Sequence, residues 1–186
     1  MKKQVLLFIL GGILLAGMPS AYALPLWDFN TLPASGAVAG PAGSTVGWGY
    51  SITNPDPNHW LSLTGLSADS FLNGVPDGAI FDFPVVGPST TLSVSYDGTQ
   101  GLYQFTWDAG APTGFNNSGT FVLSADWYDG DPLGTGQFVE VAADRSASYF
   151  AEVTAAVPHS IPEPATLLLV ASGVLGLVGW RRIHPA

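Results

Sequence analysis

The chain has 186 residues, 47% of them hydrophobic and 10% charged, with no cysteine and a formal net charge of −9. Lack of cysteine excludes disulfides and thiol catalysis. Arg145 is the sole Lys or Arg between residues 24 and 160, whereas every acid but Glu163 lies there, so that segment cannot displace phosphate counterions and nucleic-acid binding is excluded.

Lys2 and Lys3 open the chain, and an apolar run follows from Val5 to Ala16. Ala21-Tyr22-Ala23 then places small residues, Ala21 and Ala23, where signal peptidase reads them, with Pro19 breaking the helix just before. Residues 1–23 are therefore predicted to be a signal peptide cleaved after Ala23. The apolar run is too short to span a bilayer comfortably, which argues against an uncleaved anchor.

Residues 24–43, rich in Ala, Gly and Pro, read as a loose lead-in, with Leu26 to Phe29 as a candidate edge strand. Beyond them the hydrophobic period is two. Val46, Trp48, Tyr50 and Ile52 alternate with small residues, as do Leu61 and Leu63, and Leu92, Val94 and Tyr96, while Phe81 and Phe83 flank Asp82. Tyr103, Phe105 and Trp107 repeat the pattern, followed by Phe121-Leu123-Ala125-Trp127, Val139-Val141 and Tyr149-Ala151-Val153. Turn signals separate the runs, among them Asn54-Pro-Asp-Pro-Asn58, Asn73-Gly74, Asp97-Gly98 and Asp129-Gly-Asp-Pro132. About eight short strands with no helical period predict one all-β domain over 24–160, an antiparallel β-sandwich. A jelly roll is the nearest variant and a closed barrel the alternative.

Reactive chemistry is sparse in this domain. His59 is its one histidine outside the linker, where His159 lies, so a Ser-His-Asp triad would have to use it; a lone loop histidine is ordinarily solvated. A zinc site built from His and Cys cannot be assembled. Two carboxylates would suffice for a small carbohydrate-active hydrolase, and Glu140 with Glu152, or Asp126 with Asp129, are the candidate pairs. Asp at turns more commonly caps its own backbone. Asp126, Asp129 and Asp131, with Gly130 between them, would suit weak extracellular calcium, although the spacing is not that of an EF-hand; no other cofactor is expected. Trp60, Phe71, Phe115 and Tyr128 fall near loops or off phase, where exposed rings would stack on sugars; core packing is the competing assignment.

Pro158 and Ile161-Pro162-Glu163-Pro164 end the domain, with residues 155–164 as linker. Residues 165–180 are apolar and Arg181-Arg182 closes them. A helix over that stretch would be about 24 Å long, short of the ~30 Å hydrocarbon core unless the bilayer thins or the arginines snorkel. The arginines stay cytoplasmic, which leaves the domain outside the inner membrane.

Pro162-Glu163-Pro164, the short apolar helix and the basic cap Arg181-Arg182 together resemble the PEP-CTERM sorting signal of Gram-negative bacteria over residues 161–186. That resemblance implies an exosortase as partner, processing near Pro162-Glu163-Pro164 and transient anchoring by the C-terminal helix before delivery to the cell surface or beyond. Export of such proteins accompanies exopolysaccharide and biofilm production, and the same tail occurs on proteins described as ice-binding. Threonines here show no regular repeat, so ice binding rests on that association alone. Gln104, Phe105 and Asp108 within Tyr103-Gln-Phe-Thr-Trp-Asp108 also resemble a Gln-Phe-x-x-Asp family of exported PEP-CTERM proteins without an established activity. The expectation is a non-enzymatic exported sandwich that binds polysaccharide or calcium, with the carboxylate-pair hydrolase as the alternative.

Overall fold

The Val46-Trp48-Tyr50-Ile52 alternation organises one half of the molecule. In the computed structural model, which describes residues 26–156, it becomes β3 (Thr45–Asn54), with all four side chains buried. β1 (Asp28–Leu32) and β7 (Thr90–Val94) flank the second half of β3, both antiparallel. β8 (Tyr103–Trp107) pairs with its first half, and β5 (Gly74–Asp77) with β8.

The second sheet is built on β9 (Asn116–Tyr128), whose Phe121-Leu123-Ala125-Trp127 run is likewise buried. β4 (Trp60–Ala68) runs antiparallel to residues 121–128 of β9, with a bulge between Leu63 and Gly65. β11 (Arg145–Thr154) takes residues 116–123 and β10 (Phe138–Val141) residues 126–128. β6 (Val85–Val86) pairs with β4, and β2 (Ala37–Pro41) with β11.

One core joins the two sheets. Trp48 of β3 stands edge-on to Phe121 and Tyr149 of the opposing sheet at 5.2 and 5.6 Å between ring centroids. Phe71 stacks between the sheets, 4.9 Å from Phe105 and 4.5 Å from Tyr149. Burial of such rings dominates the stability, at roughly 3–5 kcal/mol lost per Phe→Ala substitution.

The sequence expectation of an all-β sandwich holds, with several corrections. The sheets are two separate layers, not one closed barrel. Pairing is not wholly antiparallel, because β2 and β11 run parallel. The supposed loose lead-in forms β1 and β2, anchored by the buried Trp27 and Phe29. Val139 and Val141 are exposed, on a short strand β10 that pairs only with the end of β9. The predicted signal peptide with Ala21 and Ala23 lies outside the described residues. So do Pro162-Glu163-Pro164, the helix over 165–180 and Arg181-Arg182.

Candidate functional site: the outer face around Tyr96

The outer face of the first sheet is set by what alternates with the core of β3: Thr45, Gly47, Gly49, Ser51 and Thr53. Its hydroxyls pair across strands. Thr45 meets Thr106 at 2.8 Å, Ser51 meets Ser93 at 2.9 Å, and Thr53 meets Thr91 at 2.9 Å. Such pairs stabilise a sheet modestly, by roughly 0.2–1 kcal/mol each.

Between the pairs, the two glycines admit a close approach. After Val94 the chain leaves β7 and crosses over Gly49, where a Cβ would stand 2.8 Å from Cα of Ser95 and 2.9 Å from N of Tyr96. The Tyr96 ring then lies on Gly47, where a Cβ would stand 2.5 Å from Cδ2 and 2.6 Å from Cζ. Those two atoms flank Cε2, which is as close, and near-equal distances to three consecutive ring atoms mean that the ring meets the glycine with its face. Its hydroxyl donates to Oε1 of Gln104 at 3.2 Å, and Nε2 of Gln104 donates to Oδ2 of Asp77 at 2.9 Å. Burial, with the Asp97 charge beside it, raises the Tyr96 phenol above its ordinary pKa. The bond from Gln104, with the Ala79 N–H, holds the Asp77 carboxyl below its own. The excursion returns at Leu102, whose N–H donates to the Trp48 carbonyl at 2.7 Å.

This geometry gives the Gln-Phe-x-x-Asp residues a structural account. Gln104 links Tyr96 to Asp77, while Phe105 is buried in the core. Asp108 works through its backbone: its N–H donates to Asn73 at 2.9 Å, and its carbonyl accepts from Gly43 and Ala111. Its carboxylate is exposed.

The other candidates disperse. Asp126 lies on β9 opposite Ser62 and Val141, Oδ1 of Asp129 accepts the Gln137 N–H at 2.7 Å, and Oδ1 of Asp131 accepts the Leu133 N–H at 2.9 Å. Those bonds close the β9–β10 hairpin in the manner of turn aspartates. Among the described residues no group of three or more His, Cys, Asp or Glu converges to hold a metal ion. Glu140 faces Trp127 and Glu152 faces Asn116, eleven positions apart on β9. That is ~36 Å of strand, against the ~5–10 Å that a glycosidase pair needs.

His59 is likewise a loop residue. Its Nδ1 is 3.0 Å from Oδ1 of the buried Asp56, which also accepts the N–H groups of Asn58 and His59. Burial pushes the Asp56 carboxyl up, but those bonds and the His59 ring outweigh it and leave it lowered. The off-phase aromatics are only partly exposed. Phe71 belongs to the core stack, Phe115 packs on Trp107, and Tyr128 packs on Phe138. Sequence periodicity misplaced two aromatic residues: Phe83, which is exposed and outside any strand, and Tyr96, where it extended β7 two residues too far. Glycines alternating with buried residues in β3 were the available signal, since glycine inside a strand marks a close approach.

Beyond the sandwich, residues 160–183 match the family model of the PEP-CTERM protein-sorting motif. The chain carries a PEP-CTERM sorting motif. The motif indicates an exported protein, anchored at the membrane until its tail is cut and then found at the surface or outside the cell. The match covers the tail and leaves the sandwich unassigned. No curated protein matches the chain.

Proposed function

We propose that the sandwich is the cargo of an exosortase pathway and works, once released, as a non-catalytic polysaccharide-binding component of the cell surface or extracellular matrix. The observation that carries this reading is the PEP-CTERM protein-sorting match at residues 160–183; the polysaccharide part of it rests on the exopolysaccharide association that the resemblance implies. Two features of the domain support it. The Asp56, Asp129 and Asp131 carboxylates are occupied in closing turns, Glu140 and Glu152 stand far apart along β9, and the exposed polar surface includes three cross-strand hydroxyl pairs on one face. Strong acidity would keep the released domain soluble and away from polyanions. The hydroxyl pairs are interrupted by Gly47, Gly49 and the Tyr96 ring, so they do not make the uniform array that ice binding would need.

The test is co-sedimentation of the processed native protein with the producing cell's own extracellular polysaccharide. Retention on the polymer that survives high salt and is lost on enzymatic depolymerisation is the expected result. Protein that stays soluble beside the intact polymer would contradict the reading.

A further inference from the structure

We infer that the outer face of the first sheet, centred on Tyr96, binds a neutral, equatorially linked pyranose chain; the inference rests on the polysaccharide-binding reading and names its site. Tyr96 is fixed on three sides. Gly47 lies beneath the ring, Gly101 comes within 3.2 Å of Cδ2 as measured to an added Cβ, and Gln104 with Asp77 holds the hydroxyl. The ring keeps part of its surface exposed and has no rotamer freedom left to lose on binding. A tyrosine laid flat on a sheet offers an apolar plane to the C–H face of a sugar.

The flanks offer the complementary chemistry. Thr45 with Thr106 lies to one side of Tyr96, and Ser51 with Ser93 and Thr53 with Thr91 to the other. Within each pair one hydroxyl hydrogen is used, so the second hydrogen and the remaining lone pairs face solvent. From Thr45 to Thr53 the face runs ~26 Å, room for several sugars in a row. An equatorially linked chain is a flat ribbon with apolar faces and hydroxylated edges, which matches a central ring bordered by hydroxyls. Asp77 and Asp97 beside Tyr96 disfavour a polyuronate, and Arg145, the sole Lys or Arg among the described residues, is engaged with the Trp27 carbonyl.

The competing role for Tyr96 is that of a latch for the segment 95–101 alone, and the variants separate the two. Cellohexaose serves as the neutral probe and an alginate hexauronate as the anionic one, each titrated into the processed protein with tryptophan fluorescence and calorimetry as readouts. Cellohexaose is expected to bind and the hexauronate not. Tyr96→Phe, which keeps the ring, should retain binding, and Tyr96→Ala should lose about tenfold or more. The double variant Thr45→Val/Thr106→Val leaves the latch untouched and should weaken binding several-fold. Undiminished binding by Tyr96→Ala and the double variant would overturn the site while leaving the polysaccharide reading intact. Wild-type protein that ignores cellohexaose would overturn this inference, and the co-sedimentation experiment would then judge the broader reading alone.

Discussion

The indole N–H of Trp48 donates to the carbonyl of Gly36 at 2.7 Å, tying the middle of β3 to the turn between β1 and β2. The same carbonyl accepts the Phe150 N–H at 2.9 Å, so this one oxygen joins both sheets. Trp107 makes an instructive contrast. It is as deeply buried, yet its Nε1 has no hydrogen-bond partner. Replacing either with Phe opens a small cavity, but only Trp48→Phe also breaks a bond, while Trp107→Phe removes an unsatisfied donor. Trp48→Phe should therefore cost about 1–2 kcal/mol more than Trp107→Phe in urea unfolding.

Asn54 is a second buried tie. Its Nδ2 lies within 2.8–3.1 Å of the carbonyls of His59, Val86 and Gly87, and its Oδ1 accepts the Asp56 N–H at 3.0 Å. Asn54→Asp would turn a carboxylate toward those carbonyl oxygens, with Asp56 nearby. A loss of about 3–5 kcal/mol at neutral pH is expected, partly recovered on acidification as the new carboxyl takes up a proton. Equal stability of Asn54→Asp and wild type in urea at neutral pH would rule this account out.

Alkaline pH should unfold the domain through its tyrosines. Burial, with the hydrogen bond and charge of Asp82 adding to it, pushes the Tyr50 phenol well up; burial and the Asp69 charge push Tyr149 up to about 12. Folded values above the unfolded value of 10.0 mean that these groups stabilise fully below pH 10.0 and less as the pH rises toward 12. Tyrosinate absorbance should lag in the native state and jump on unfolding. Asp82→Asn should bring Tyr50 ionisation to lower pH.

Acid acts in the opposite sense. Bonds from the backbone and side chains of Thr99 and Gln100 hold the Asp97 carboxyl at about 2, below its ordinary 3.8, and Asp56 and Asp77 are also lowered. Their contribution is present above pH 3.8 and is lost as the pH falls toward 2. The urea midpoint of the wild type should fall over that window, and Asp97→Asn should fall less steeply.

How far the sequence led depended on whether a residue's partners were local. Alternation gives the inward face of a strand, so Trp48, Tyr50, Phe121 and Trp127 were legible as core before any strand was paired. It says nothing about which strands become neighbours. The parallel pairing of β2 with β11 joins residues more than a hundred positions apart and left no local trace. The buried Trp27 was hidden in a stretch whose Ala, Gly and Pro content suggested a loose segment. Tyr96 obeyed the alternation and still left the strand, because Gly49 and Gly47 let the backbone fold over the sheet. For the candidate site, sequence supplied the residue types, Asp129 and Asp131 included, but only geometry showed those carboxylates bound to hairpin N–H groups.

Delivery of the sandwich by its tail can be read from the intact mass of the native protein in cells with and without exosortase. A chain beginning at Leu24 is expected in both, shortened near Pro162-Glu163-Pro164 only where exosortase is present. A tail retained in full and to the same extent in both strains would contradict it, leaving an ordinary membrane anchor in place of a sorting signal.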